Sequence, residues 1–161
     1  MKKFIVISIV LLMLAGFAIT SSAMDVILWA DQDVDVGTLT VEVIGTDLVV
    51  TYAITAPWVL GETHLYVGDS APTKSAPGRF PYGADDAVGG IYTIPLADLG
   101  AVAGDILFIA AQAEVTNPDE IDLITGLPRE ESVWADGDRI RPNKNWAMYF
   151  TFVVPAVVVV P

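Results

Sequence analysis

Between Thr38 and Ile44 apolar and polar residues alternate: Leu39, Val41 and Val43 face one way, Thr38, Thr40 and Glu42 the other. That is the period of a strand with one buried face. Gly45-Thr46-Asp47 carries turn chemistry, and Leu48 to Ile54 resumes with β-branched and aromatic residues, so the two segments predict a hairpin that ends before Pro57. Thr63 to Val67, closed by Gly68, and Ile91 to Ile94, closed by Pro95, read as short strands. The nearly unbroken apolar run from Ile106 to Val115 predicts a central strand covered on both faces. Trp146 to Val154 places Trp146, Met148, Phe150, Phe152 and Val154 on one face. These elements predict an all-β fold, an antiparallel two-sheet β-sandwich, with Val41, Val50, Leu65, Phe108, Trp146, Met148 and Phe150 in its core. Two long segments, 69–90 and 116–131, are rich in proline, glycine or acidic residues and read as irregular.

The pattern at the amino end is different. Lys2 and Lys3 precede an apolar run from Phe4 to Ala18, and Ser21-Ser22-Ala23 offers small residues where a signal peptidase cuts. Residues 1–23 therefore read as an export signal and residues 24–161 as a single β-sandwich domain, secreted or held at the cell surface. The apolar tail from Val153 to Pro161 is nine residues long with two prolines, too short to cross a bilayer, so no membrane anchor is expected after cleavage. It reads as a final strand plus a short tail, with pairing to a neighbouring chain as the sharper alternative.

Charge narrows the partners. The sequence has 8 Lys and Arg against 20 Asp and Glu, a net charge of −12. Without residues 1–23 two lysines go, and the balance of 6 against 20 is −14. Nucleic acid and anionic membranes reward clustered basic residues in a way this balance does not. An extracellular protein or a glycan is the expected partner. The absence of cysteine removes disulfides, thiol catalysis and cysteine-rich zinc sites together.

Candidate chemistry is sparse. His64 is the one histidine, without a motif for an activated nucleophile, and carboxylate pairs near a tryptophan arise readily by chance among twenty acids. No catalytic residue is assigned, and a non-enzymatic module acting through surface contacts is favoured over a carbohydrate-binding or carbohydrate-active domain that would use acidic and tryptophan side chains in the two long segments. Calcium suits an extracellular acidic domain because it takes oxygen ligands. Its candidate ligands are Asp31, Asp33 and Asp35, spaced at alternate positions, and Glu131, Asp136 and Asp138 around Gly137. The first set lacks the glycine an EF-hand loop needs, since Val36 stands at its sixth position; the second has a ready alternative as a glycine-centred turn. No cofactor is required by either reading. Among the aromatics, Tyr82 in the Pro/Gly segment and Trp134 are the candidate ligand-binding residues.

Six blocks occur in order: Thr63-His64-Leu65-Tyr66-Val67-Gly68, Gly78-Arg79-Phe80-Pro81-Tyr82, Tyr92-Thr93-Ile94-Pro95-Leu96, Ile109-Ala110-Ala111-Gln112-Ala113, Glu131-Ser132-Val133-Trp134-Ala135-Asp136-Gly137 and Asn145-Trp146-Ala147-Met148-Tyr149-Phe150. Together they resemble a β-rich domain of unknown function found in exported microbial surface proteins, across roughly Val36 to Val154. The resemblance implies an extracellular module and brings no reaction with it. The family's "AAHA" histidine is Gln112 here, which removes any two-histidine site with His64 and leaves a residue suited to structural hydrogen bonding.

Overall fold

The structure is a computed structural model that describes residues 22–156. The export-signal reading lies outside the described residues except for Ser22 and Ala23, as do the last five residues of the apolar tail. Nine strands follow one another: β1 (Met24–Ala30), β2 (Val34–Ile44), β3 (Asp47–Ile54), β4 (Val59–Gly68), β5 (Ile91–Pro95), β6 (Ile106–Ile121), β7 (Pro128–Ala135), β8 (Asp138–Arg139) and β9 (Met148–Val153). Every pairing is antiparallel.

The strands form one hydrogen-bonded sheet in the order β5-β3-β2-β1-β7-β6-β9-β8, with β4 on the other edge of β6. The 16-residue β6 is the spine. It pairs with β4 along one edge, and with β9 and then β7 along the other. The ends of the sheet curl toward each other, so that β4 and β5 meet through side chains. The hydroxyls of Thr63 and Tyr92 lie 2.7 Å apart, and the Tyr52 hydroxyl donates to the carbonyls of His64 and Gln112 at 3.1 and 3.2 Å. Residues 77–90 lie over this seam, where Leu65 and Tyr82 exchange backbone hydrogen bonds. The unpaired edge of β4 is thereby partly covered.

The alternation visible in sequence determines what the curl encloses. Leu39, Val41, Leu48, Val50, Leu65, Ile109 and Ala111 are fully buried in one core. On the opposite face of β6, a second cluster gathers Ala110, Trp134, Ala147 and Met148, with Tyr66, Phe80 and Trp146 packed against it. This double cover makes Ile109 to Ala113 a continuously buried run.

Several expectations change here. The hydrogen bonding gives a single sheet where two were expected. Strand β1 was not anticipated, although Val26, Leu28 and Ala30 alternate inward along it. Segment 116–131 is not irregular: β6 runs on to Ile121 and β7 begins at Pro128, with the register slipping between Asn117 and Ile121 to accommodate Pro118. Phe108 and Trp146 are half-buried, because Phe108 faces away from the main core and Trp146 precedes the start of β9.

Candidate functional site: a cationic end and an acidic arm

The predicted site residues are dispersed. Asp31 and Gln32 have positive φ, 48° and 72°, as in the type I′ turn of a tight hairpin, and the Asp33 amide donates to the Ala30 carbonyl at 3.3 Å. Asp35 accepts from the Gly37 amide at 3.0 Å. The run that resembled a metal loop in sequence thus works as turn chemistry between β1 and β2. Glu131 accepts from Arg129 at 2.8 Å, while Asp136 and Asp138 flank Gly137, which lies against the Tyr149 backbone. Among the described residues, no three His, Asp or Glu side chains come together in a group suited to a metal ion.

The two aromatic candidates differ in exposure. Trp134 is only 4% exposed, between the rings of Phe80 and Trp146, and cannot serve as an open platform. Tyr82 is half-buried against the main core, with its backbone tied to Leu65. Burial raises its hydroxyl above the ordinary value, and the nearby carboxylates of Asp98 and Asp86 push the same way.

His64 stands directly opposite Gln112 across the β4–β6 pair, and its Nε2 lies 3.2 Å from the Glu62 carboxylate. Gln112 is buried, with its Nε2 within hydrogen-bonding distance of the Ala113 carbonyl, Glu114 and Ser132. Its Oε1 has no partner among the described residues. The Ser132 contact ties β6 to β7, and the three together give Gln112 a structural place in the sheet.

Two carboxylates do converge near a tryptophan. Glu120 and Glu131 lie 2.9 and 2.8 Å from the Arg129 guanidinium, which sits 5.5 Å from the Trp58 ring centre. The guanidinium pairs with both carboxylates, Glu120 on β6 and Glu131 on β7, and so forms an ion-pair staple across the β6–β7 hairpin.

Charge segregation is the feature that the sequence reading missed. Outside residues 1–23 there are six basic residues, and five of them, Lys74, Arg79, Arg139, Arg141 and Lys144, fall in segments 70–83 and 139–147. Neither segment contains a single Asp or Glu. The fold joins them: Arg141 donates to the Thr73 carbonyl from Nε at 3.1 Å and Nη2 at 2.9 Å, and Asn145 donates to Ser75 at 2.8 Å. Arg139 reaches Gln32 in the β1–β2 turn at 3.0 Å. All five basic residues are exposed. Among the described residues, no carboxylate forms a salt bridge with any of them. Two open hollows mark this end. One, about 360 Å³, is bounded by Tyr66, Lys74, Arg79 and Phe80; the other, about 330 Å³, by Gln32, Arg139, Lys144 and Trp146.

The opposite end of β6 is acidic. Beyond the last pairing with β4, Val59 with Thr116, and the last with β1, Ala30 with Val133, strands β6 and β7 have only each other. They project as a two-stranded arm carrying Asp119, Glu120, Asp122, Glu130 and Glu131. Its tip is held tightly: Asp122 Oδ1 accepts from the amides of Ile124 and Thr125 at 2.8 and 2.7 Å, and the Gly126 amide donates to the Asp122 carbonyl at 2.8 Å. This turn leaves Leu123 99% and Ile124 95% exposed.

No family model matches the chain, and neither a curated protein nor a solved structure proved similar to it.

Proposed function

We propose that the chain is an exported, non-enzymatic β-module that acts through surface contacts outside the cell, and that its contact surface is the cationic end. Support for export is the leader-like pattern of residues 1–23 and the resemblance to extracellular domains. The observation that carries the contact surface is the gathering of five of six basic residues into two joined segments without a carboxylate, on a domain of net charge −14. Random placement would disperse those charges among the acids. The ligand is an anionic group on an extracellular macromolecule. At physiological ionic strength the Debye length is about 8 Å, so the patch acts at contact while the repulsive net charge is largely screened.

The hollow beside Trp146, with Asn143 and Asn145 on its rim, favours a second reading in which the ligand is a carbohydrate. One assay separates the two. Surfaces bearing poly-glutamate, alginate or dextran are exposed to the protein, with Lys74→Glu/Arg79→Glu as the charge-reversed control. Binding to both polyanions that falls with salt and disappears in the variant supports the anionic reading, whereas binding to alginate and dextran but not poly-glutamate supports a glycan. Binding to none of the three, or polyanion binding unchanged in the variant, removes the cationic end as the anionic contact surface.

A further inference from the structure

The arm and the cationic end are complementary in both charge and polarity. The arm presents Leu123 and Ile124 in a turn hydrogen-bonded to Asp122; the cationic end presents Lys74 and Arg79 around a hollow walled by Tyr66 and Phe80, with Arg141 bonded to the Thr73 carbonyl in its lining. Exposed aliphatic side chains favour removal from water, and the hydrogen-bonded backbone of the turn lowers the ordering cost of the segment that carries them. The tip would seat its two aliphatic side chains in the hollow while its carboxylates face the basic rim.

The two surfaces cannot meet within one chain. The hollow lies past the Gly68 end of β4, where Gly68 pairs with Phe108, and the arm tip lies past Ile121 at the far end of the same strand. Thirteen residues of extended strand separate those levels by about 40 Å. Resting on the proposed contact role of the cationic end, we infer that its partner is a second copy of this chain, whose acidic arm tip docks into the hollow bounded by Tyr66, Lys74, Arg79 and Phe80.

Such a contact joins two different surfaces, so each added copy leaves one arm and one cationic end unused, and the association grows head to tail into strings or closed rings larger than a dimer. Asp122 strengthens the arm's role. Hydrogen bonds from Thr125 and Ile124 hold its carboxyl below the ordinary value, so it stays ionised while it shapes the turn.

Sedimentation velocity on protein recovered from cells expressing the full sequence tests this. The natural chain should form a concentration-dependent series of species above the monomer. Leu123→Asp/Ile124→Asp and Lys74→Glu/Arg79→Glu should each sediment as monomers with unchanged circular dichroism. Mixed in equal amounts, they should give a one-to-one dimer and nothing larger, because one retains the hollow and the other the arm. As an independent measurement, mixing Leu123→Cys with Thr73→Cys should yield an intermolecular disulfide, read cleanly because the natural chain has no cysteine. A natural chain that remains monomeric at millimolar concentration, association that survives both variants, or mixtures that form neither dimer nor cross-link would overturn the inference. A monomeric chain that still binds poly-glutamate through Lys74 and Arg79 would do so while leaving the contact role of the cationic end intact.

Discussion

The hydroxyls of Thr63 and Tyr92 lie 2.7 Å apart in the interior, and with that one contact β4 is fastened to β5, a strand at the far end of the same sheet. Tyr92 donates onward to the Gly83 carbonyl at 3.1 Å, so the covering segment is fixed at the same point. Replacing Tyr92 by Phe leaves Thr63 buried without its partner and should cost about 1–3 kcal/mol. Thr63→Val/Tyr92→Phe should cost less than the sum of the two single changes, as measured by denaturant unfolding in a double-mutant cycle. Strict additivity would show that the two hydroxyls do not act together.

Alkaline pH acts on the same seam. Burial raises the Tyr52 hydroxyl well above its ordinary value of 10.0, and neighbouring Tyr92 adds to the shift. Tyr92 is raised too, chiefly by burial. For both, the folded value exceeds the unfolded one, so their contribution to stability is complete below pH 10.0 and is lost as pH rises toward the folded values. Melting temperature should be level on approach from neutral pH and fall above that point, with Tyr52→Phe flattening the alkaline fall.

Gly137 joins β7 to β8 beneath the last strand. A β-carbon there would run into the Tyr149 carbonyl, a backbone atom that cannot swing aside. Gly137→Ala should therefore destabilise by at least about 1–3 kcal/mol, the usual cost of forcing extra volume into a packed site. Gly78→Ala, with no atom within 4 Å of the added carbon, should have little effect in the same thermal melts.

Phe150 is buried on the main-core side of β9, whereas Trp146 is half-buried just before that strand. Phe150→Ala should cost about 3–5 kcal/mol. Trp146→Ala should cost less, despite the larger ring, because part of that ring already meets water. Chemical denaturation midpoints of the two variants check the order.

Calcium provides a different kind of check. With Asp31 in a turn, Glu131 paired to Arg129 and Asp136 separated from Asp138 by a glycine held against β9, the candidate ligands each have structural surroundings of their own. The expected result of a thermal-shift titration is a similar rise with calcium, magnesium and sodium chloride at matched ionic strength, as screening of self-repulsion produces. Saturation at low calcium that Asp33→Asn or Asp136→Asn abolishes would establish a specific site instead.

Strand positions were legible because alternation records burial directly: Leu39, Val41 and Val43 announce β2, and Phe150 and Phe152 announce β9. Connectivity was less legible. Whether β3 and β4 belong to separate sheets depends on β1 and β7, and β7 was hidden because Pro128, Arg129, Glu130 and Glu131 give its outer half the composition of a loop. The cationic end was hidden for another reason. Lys74 and Arg141 are 67 residues apart, and only folding makes neighbours of the two acid-free segments that contain them.

The position of β6 also bears on when the molecule can form at all. Its partners β4, β7 and β9 span the chain from Val59 to Val153; the ladder to β7 is a local hairpin, but those to β4 and β9 close across long loops, the arrangement that slows folding most. A nascent chain that has not yet reached Met148 lacks the strand that covers Ile106 to Ile109. Its longest apolar segment must wait exposed for the last part of the protein to be made, the interval in which strand edges are most prone to aggregate.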